Sequence, residues 1–193
     1  ASEGAMTSLK LRSKVIVVGD PGVGKSALTG MFQSNGQKFP KNYMMTLGLD
    51  FCVKAVAVPD AEATVELYVF DTAGQEVFAD AAPEYWKGGS ALLLVYDVTR
   101  PETFEHLSQW LQRVAQVVPL DTLLGGCVVA NKTDLAERAE VPREKGEALA
   151  QRHGFAFFES SALEHTGVEA PFAHVATRAL HKYEEVLAAA AQG

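Results

Sequence analysis

Apolar residues along this chain follow two rhythms. Val15-Ile16-Val17-Val18, Ala91–Tyr96 and Gly126–Ala130 are short unbroken apolar runs, as expected of strands buried on both faces. Phe155–Phe158 reads as a further strand. Leu47–Val58 and Thr64–Phe70 flank a turn at Pro59-Asp60-Ala61, so they should pair antiparallel. Helix-compatible stretches lie between the runs, at Lys25–Gln33, Pro101 to about Val117, and Arg143–Arg152. A terminal helix from about Val168 carries Phe172, Val175, Ala176, Ala179, Leu180, Tyr183 and Leu187 on one face. A polar, irregular segment runs from Ser34 to about Met45. Strand then helix, repeated, predicts an α/β fold: a six-stranded, mostly parallel sheet with one antiparallel strand and helices on both faces. The C-terminal ends of its strands should converge on one crevice.

Chemistry gathers at those ends. Gly19-Asp20-Pro21-Gly22-Val23-Gly24-Lys25-Ser26 fits the full phosphate-binding pattern G-x-x-x-x-G-K-[ST], between a strand and a helix. Gly19 and Gly24 allow the turn. Lys25 can reach β- and γ-phosphates, and the Ser26 hydroxyl can ligate Mg²⁺. Asp71-Thr72-Ala73-Gly74-Gln75-Glu76 follows another strand. Asp71 can hold the hydrated metal opposite Ser26, Gly74 admits a terminal phosphate, and Gln75 can orient water for in-line attack. Asn131-Lys132-Thr133-Asp134 follows a third. Asp134 accepts two N–H bonds at once, which guanine offers and adenine does not. The Lys132 stem can pack over the ring, while Asn131 ties loops together and contacts the base. Glu159-Ser160-Ser161-Ala162 follows the last strand, where the Ala162 N–H can donate to guanine O6.

These four motifs, in this order and spacing, resemble the small Ras-type GTPases over nearly the whole chain, a P-loop small G domain. Thr46-Leu47-Gly48-Leu49-Asp50-Phe51 and Tyr85-Trp86-Lys87-Gly88 are similar to the switch regions of the Rab branch. The resemblance implies GTP or GDP with Mg²⁺ as ligands and a GTPase of low intrinsic activity. It makes Thr46 the switch I threonine, a metal ligand and γ-phosphate donor, and Phe39 the aromatic edge on guanine. Catalysis then falls to Gln75, Lys25 and Thr46, and the metal to Ser26, Thr46 and Asp71. Nucleotide contacts extend over Asp20, Pro21, Gly22, Val23, Gly24, Lys25, Ser26 and Ala27, then Gly74. They continue through Asn131, Lys132, Asp134 and Leu135 to Ser161, Ala162 and Leu163.

Composition narrows the class. With 48% hydrophobic and 21% charged residues, the 193-residue chain can form one full globular core. A net charge of −7 argues against a nucleic-acid groove and against electrostatic attachment to anionic lipid. Cys52 and Cys127 lie in apolar runs and read as two buried thiols in a reducing, cytoplasmic setting. The G domain is expected over residues 13–188, with 1–12 a flexible N-terminus. Residues 189–193 form a short tail without a prenylation cysteine, so no direct lipid anchor is expected.

Three departures set the chain apart from ordinary Rabs: that tail, a longer switch I through Ser34–Phe39, and the segments Val53–Phe70 and Glu169-Ala170-Pro171-Phe172. The last two are similar to the Rab-like 4 subfamily, GTPase subunits of the intraflagellar transport B complex. That resemblance implies a one-to-one complex with the small β-sandwich subunit, and work in the cilium or flagellum and at its base. Exchange and activating factors are not indicated. Pro21, where Rabs carry Ser or Gly, removes an N–H and puts the hydrolysis rate in question. Leu163 stands where Lys is usual. Two alternatives stay open: a truncated or unprenylated Rab of vesicle trafficking, and a nucleotide-stabilised structural subunit that does not cycle. The five histidines read as ordinary surface or edge residues, and Trp86 and Trp110 as packing residues.

Overall fold

A computed structural model describes residues 9–40, 49–59, 61–72 and 82–191. Six strands, β1 (Leu9–Val18), β2 (Leu49–Ala57), β3 (Ala63–Thr72), β4 (Ala91–Asp97), β5 (Gly125–Asn131) and β6 (Ala156–Ser160), form one sheet in the order β2-β3-β1-β4-β5-β6. β2 pairs antiparallel with β3, from Leu49 opposite Thr72 to Ala57 opposite Thr64, and every other pairing is parallel. The expected sheet is therefore present.

Alternation along β1 explains the two layers. Val15 and Val17 face one core, which they share with Leu28 and Phe32 of α1 (Lys25–Gln33) and with Phe172, Val175 and Ala179 of α6 (Ala170–Ala190). Ile16 and Val18 face the other. There they meet Trp86 of α2 (Ala82–Trp86), the buried Leu107, Trp110, Leu111 and Val114 of α4 (Leu107–Ala115), which follows α3 (Pro101–Glu105), and Leu149 of α5 (Arg143–His153). β4 and β5 are buried along their whole length, as expected of strands covered on both sides.

Four expectations need correction. β1 begins at Leu9 rather than Val15, and Leu9–Arg12 pair with Ala63–Glu66, so these residues belong to the sheet and not to an N-terminal extension. Lys10, Arg12 and Lys14 interrupt the apolar run there and hid the strand. α6 carries on to Ala190, two residues past the expected domain end. The helix expected over 101–117 is two helices, α3 and α4, broken at His106. Cys127 is buried but Cys52 only half-buried, and both are free; burial pushes their thiols up to about 12 and about 11.

Candidate nucleotide-binding site

The loop after β1 is pressed against the ends of β4 and β5, which leaves no room for side chains at its two outer glycines. Gly19 has φ of 149°, and a Cβ there would lie 2.1 Å from the Val95 carbonyl oxygen. Gly24 has φ of 99°, and its Cβ would lie 2.3 Å from Nδ2 of Asn131. α1 starts directly behind with no side-chain cap and no acid in its first turn. Its first N–H groups are thus open to an anion, with the helix dipole favouring one. Lys25, 6% exposed, folds back over the loop and donates to the carbonyls of Gly19 (2.8 Å) and Asp20 (2.9 Å). Burial brings its ammonium down to about 8, against the pull of Asp71 and Asp20. A phosphate here would supply the missing counter-charge.

Asp71, next to last in β3, lies beside it and is 2% exposed. Ser26 Oγ donates to its Oδ2. Among the described residues Oδ1 is buried without a hydrogen-bond partner. Burial lifts the carboxyl to about 6, although the Ser26 hydrogen bond and Lys25 oppose it. A hydroxyl and an under-satisfied carboxylate form an all-oxygen donor set, the kind Mg²⁺ takes with waters and phosphate oxygens. The residues present fit that ion. Among the described residues no group of three His, Cys, Asp or Glu forms a separate metal cluster.

The base side is built around Asn131, 1% exposed at the end of β5. Its Nδ2 donates to the Val23 carbonyl in the phosphate loop (2.9 Å), and its Oδ1 accepts from Ser160 Oγ (3.1 Å) and the Ala162 N–H (3.4 Å). One side chain thereby joins three of the four motifs. Asp134 Oδ1 accepts from Ser161 Oγ at 2.6 Å, which fixes the plane of the carboxylate. Lys132 is left-handed (φ 68°), and its Nζ pairs with Asp97 Oδ2 at 2.6 Å. Burial alone would raise the Asp97 carboxyl, but hydrogen bonds from Lys132 and Thr99 outweigh it and hold the group below the ordinary range. The Lys132 stem is therefore anchored at its far end. Leu135 breaks the short 3₁₀ segment Thr133–Arg138, and Leu163 is exposed.

Lys25, Ser26, Asp71, Asn131, Lys132, Asp134, Ser161 and Ala162 all lie at the C-terminal ends of strands in one sheet, the P-loop residues Asp20–Ala27 among them. Phe39 is exposed. Thr46, Gly74 and Gln75 lie outside the described residues. Sequence reasoning missed Asp97, Arg100, His106 and Trp110. Asp97 had a signal, an acid closing the apolar strand Ala91–Tyr96 in the same crevice. His106, read as an ordinary surface or edge residue, is half-exposed, and its Nδ1 also meets Asp20 Oδ2 at 2.6 Å, a contact the sequence did not show. Trp86 is a core residue, while Trp110 also donates to Asp20 (2.8 Å).

The Ras family model matches residues 14–181. The intraflagellar transport protein 27 homolog of Bos taurus is 44% identical over 179 residues, 93% of this chain and 96% of that protein. The Homo sapiens protein of that name is 42% identical over 174 residues, 90% and 92% of the two chains. The one from Trypanosoma brucei brucei is 37% identical over 177 residues, 92% and 94%. With its phosphate loop, metal-side acid and base loops converging on one crevice, the chain belongs to the Ras family of small GTPases and groups with its intraflagellar transport members.

Proposed function

We propose that this chain binds GTP and GDP with Mg²⁺, hydrolyses GTP slowly, and works as a switch subunit of the intraflagellar transport B complex. The observation that carries the reading is the joint at Asn131. It couples the phosphate loop to the base loops, so a nucleoside phosphate can be gripped at both ends by a site that is already shaped. The names of the relatives support the setting, the cilium or flagellum and its base. The resemblance to transport subunits supports a one-to-one complex with the small β-sandwich subunit.

Each residue has a task in this reading. Asp134, oriented by Ser161, accepts the two N–H groups of guanine, and Lys132 lies along the ring with Phe39 at its edge. Lys25 leaves the carbonyls of Gly19 and Asp20 for the β- and γ-phosphate oxygens. Ser26, Asp71 and Thr46 would hold Mg²⁺, which would supply charge neutralisation at the phosphates. Gln75 orients the attacking water, and Thr46 ties switch I to the γ-phosphate. Arg100, beside the phosphate loop, engages the Pro21 carbonyl and Asp97, so a partner is expected to supply the arginine that speeds hydrolysis.

Competition of GDP, GTP and ATP against a fluorescent GDP tests binding; ATP should fail to compete. Single-turnover hydrolysis by wild type and Gln75→Leu tests the switch. The variant should keep its nucleotide affinity and lose rate, since the amide acts on water in the transition state. A wild type no faster than Gln75→Leu would favour a nucleotide-stabilised structural subunit.

A further inference from the structure

Asp20 places a carboxylate in a loop built to receive an anion, and by itself it has the wrong charge for that task. Both of its oxygens are taken by the α3–α4 segment, one from the junction and one from α4. Oδ1 accepts from Nε1 of Trp110 (2.8 Å), and Oδ2 lies 2.6 Å from Nδ1 of His106. A carboxylate only accepts, so His106 Nδ1 carries the hydrogen. The next residue is held from the same segment: the Pro21 carbonyl accepts from Nη2 of Arg100 at 2.8 Å. Pro21 has no N–H to offer, so this carbonyl is its one main-chain handle.

The break between α3 and α4 coincides with this contact. His106 sits at the junction with φ −72° and ψ −12°, and Trp110 follows four residues later on the same face. Trp110 is 6% exposed, which fixes its ring against the core and aims its N–H at the loop.

We propose that His106 and Trp110 are positioning residues for the bound nucleotide: they turn the Asp20 carboxylate toward α4 and hold the phosphate loop in its binding shape. The proposal rests on the nucleotide-binding reading above. Without the two donors, Asp20 is released to face the phosphates, and the Asp20-Pro21 backbone loses its brace. The consequence falls on nucleotide retention, and on chemistry only indirectly.

Release of a fluorescent GDP from the full chain, chased with excess GDP at saturating Mg²⁺, tests this. His106→Ala should release about tenfold faster, the scale of a lost hydrogen bond to a charged group. His106→Asn, which returns an N–H near the Nδ1 position, should restore most of the retention. Trp110→Phe keeps the ring volume, removes only the donor and should also release faster; it serves if His106→Ala does not fold. In an Asp20→Ala background, His106→Ala should add nothing, because its partner is gone. Unchanged release in both single variants overturns the proposal. So does a His106→Ala effect that persists in full without the Asp20 carboxylate, since the side chain would then act through the helix break alone. A wild type that binds no fluorescent GDP overturns this proposal together with the nucleotide reading; one that binds, with insensitive variants, overturns this proposal alone.

Discussion

In the proposed reading, Asn131 and Asp134 divide the work of the base loop between structure and recognition. Asn131 spends its amide on Val23, Ser160 and Ala162, and so is committed to holding loops. Asp134 uses Oδ1 on Ser161, and a carboxylate oxygen has capacity for more than one donor. Asp134→Asn should therefore leave the loops in place while putting a donor where guanine also donates. GTP affinity is expected to fall by about 1–3 kcal/mol, the worth of a well-placed bidentate pair, with xanthine nucleotides gaining. Competition of GTP and XTP against fluorescent GDP measures it, and undiminished GTP affinity would remove Asp134 from base reading. The roles proposed for Asp134 and Lys132 come from the motif alone, where the two lie close together in the chain. That Lys132 is held by Asp97 was not legible there, because the two sit 35 positions apart, at the ends of adjacent strands.

At the scale of elements, the site depends on α1 being fixed to the sheet, and α6 does much of that. Phe32 of α1 stacks on Phe172 of α6 with ring centroids 3.8 Å apart and planes within 10°. Lys54 of β2 donates to the Phe32 carbonyl at the C-terminal end of α1 and to Asn35 Oδ1 (2.7 Å), lying over the Phe32 ring as well. Phe172 is fully buried, so Phe172→Ala should cost about 3–5 kcal/mol. For a domain of this size that lowers Tm on the order of 10 °C. Thermal melts of the nucleotide-loaded protein check it; a shift of only a degree or two would mean that the α1–α6 contact carries little. The face of α6 was readable from its three- and four-residue spacing. Its partner was not, since periodicity identifies which side is buried but not what covers it.

As a whole molecule the chain is acidic, with net charge −7, yet its crevice is built for an anion. Attraction there is local, from Lys25 and the open N–H groups of α1, rather than from the overall field. Among the described residues no helix is long and apolar enough to cross a membrane. Ligand binding should stabilise the entire fold, since the site ties β1, β3 and β5 together. At GDP and Mg²⁺ near a thousand times the Kd, linkage adds about 4.1 kcal/mol. Tm should therefore rise on the order of 10 °C. EDTA should reverse most of that gain and speed GDP release, because the Ser26 hydroxyl and the buried Asp71 carboxylate then lose the cation their oxygens suit. A melting point indifferent to EDTA would count against the metal site.

Sequence alone determined the parts whose chemistry is contiguous. The phosphate loop, the acid after β3 and the Asn-Lys-Thr-Asp run each need only neighbouring residues and a strand before them, so spacing and apolar runs were enough. Tertiary structure decided how these parts are braced. Asp20 meets His106 and Trp110 across 86 and 90 positions, and Asn131 meets Val23 across 108. Those distances close only because the sheet order places β4 and then β5 beside β1, bringing their ends and the α3–α4 junction against the phosphate loop. The α3–α4 break at His106 lies beside Asp20. Local propensity favours one continuous helix from Pro101, and only the fold reveals the carboxylate beside that break.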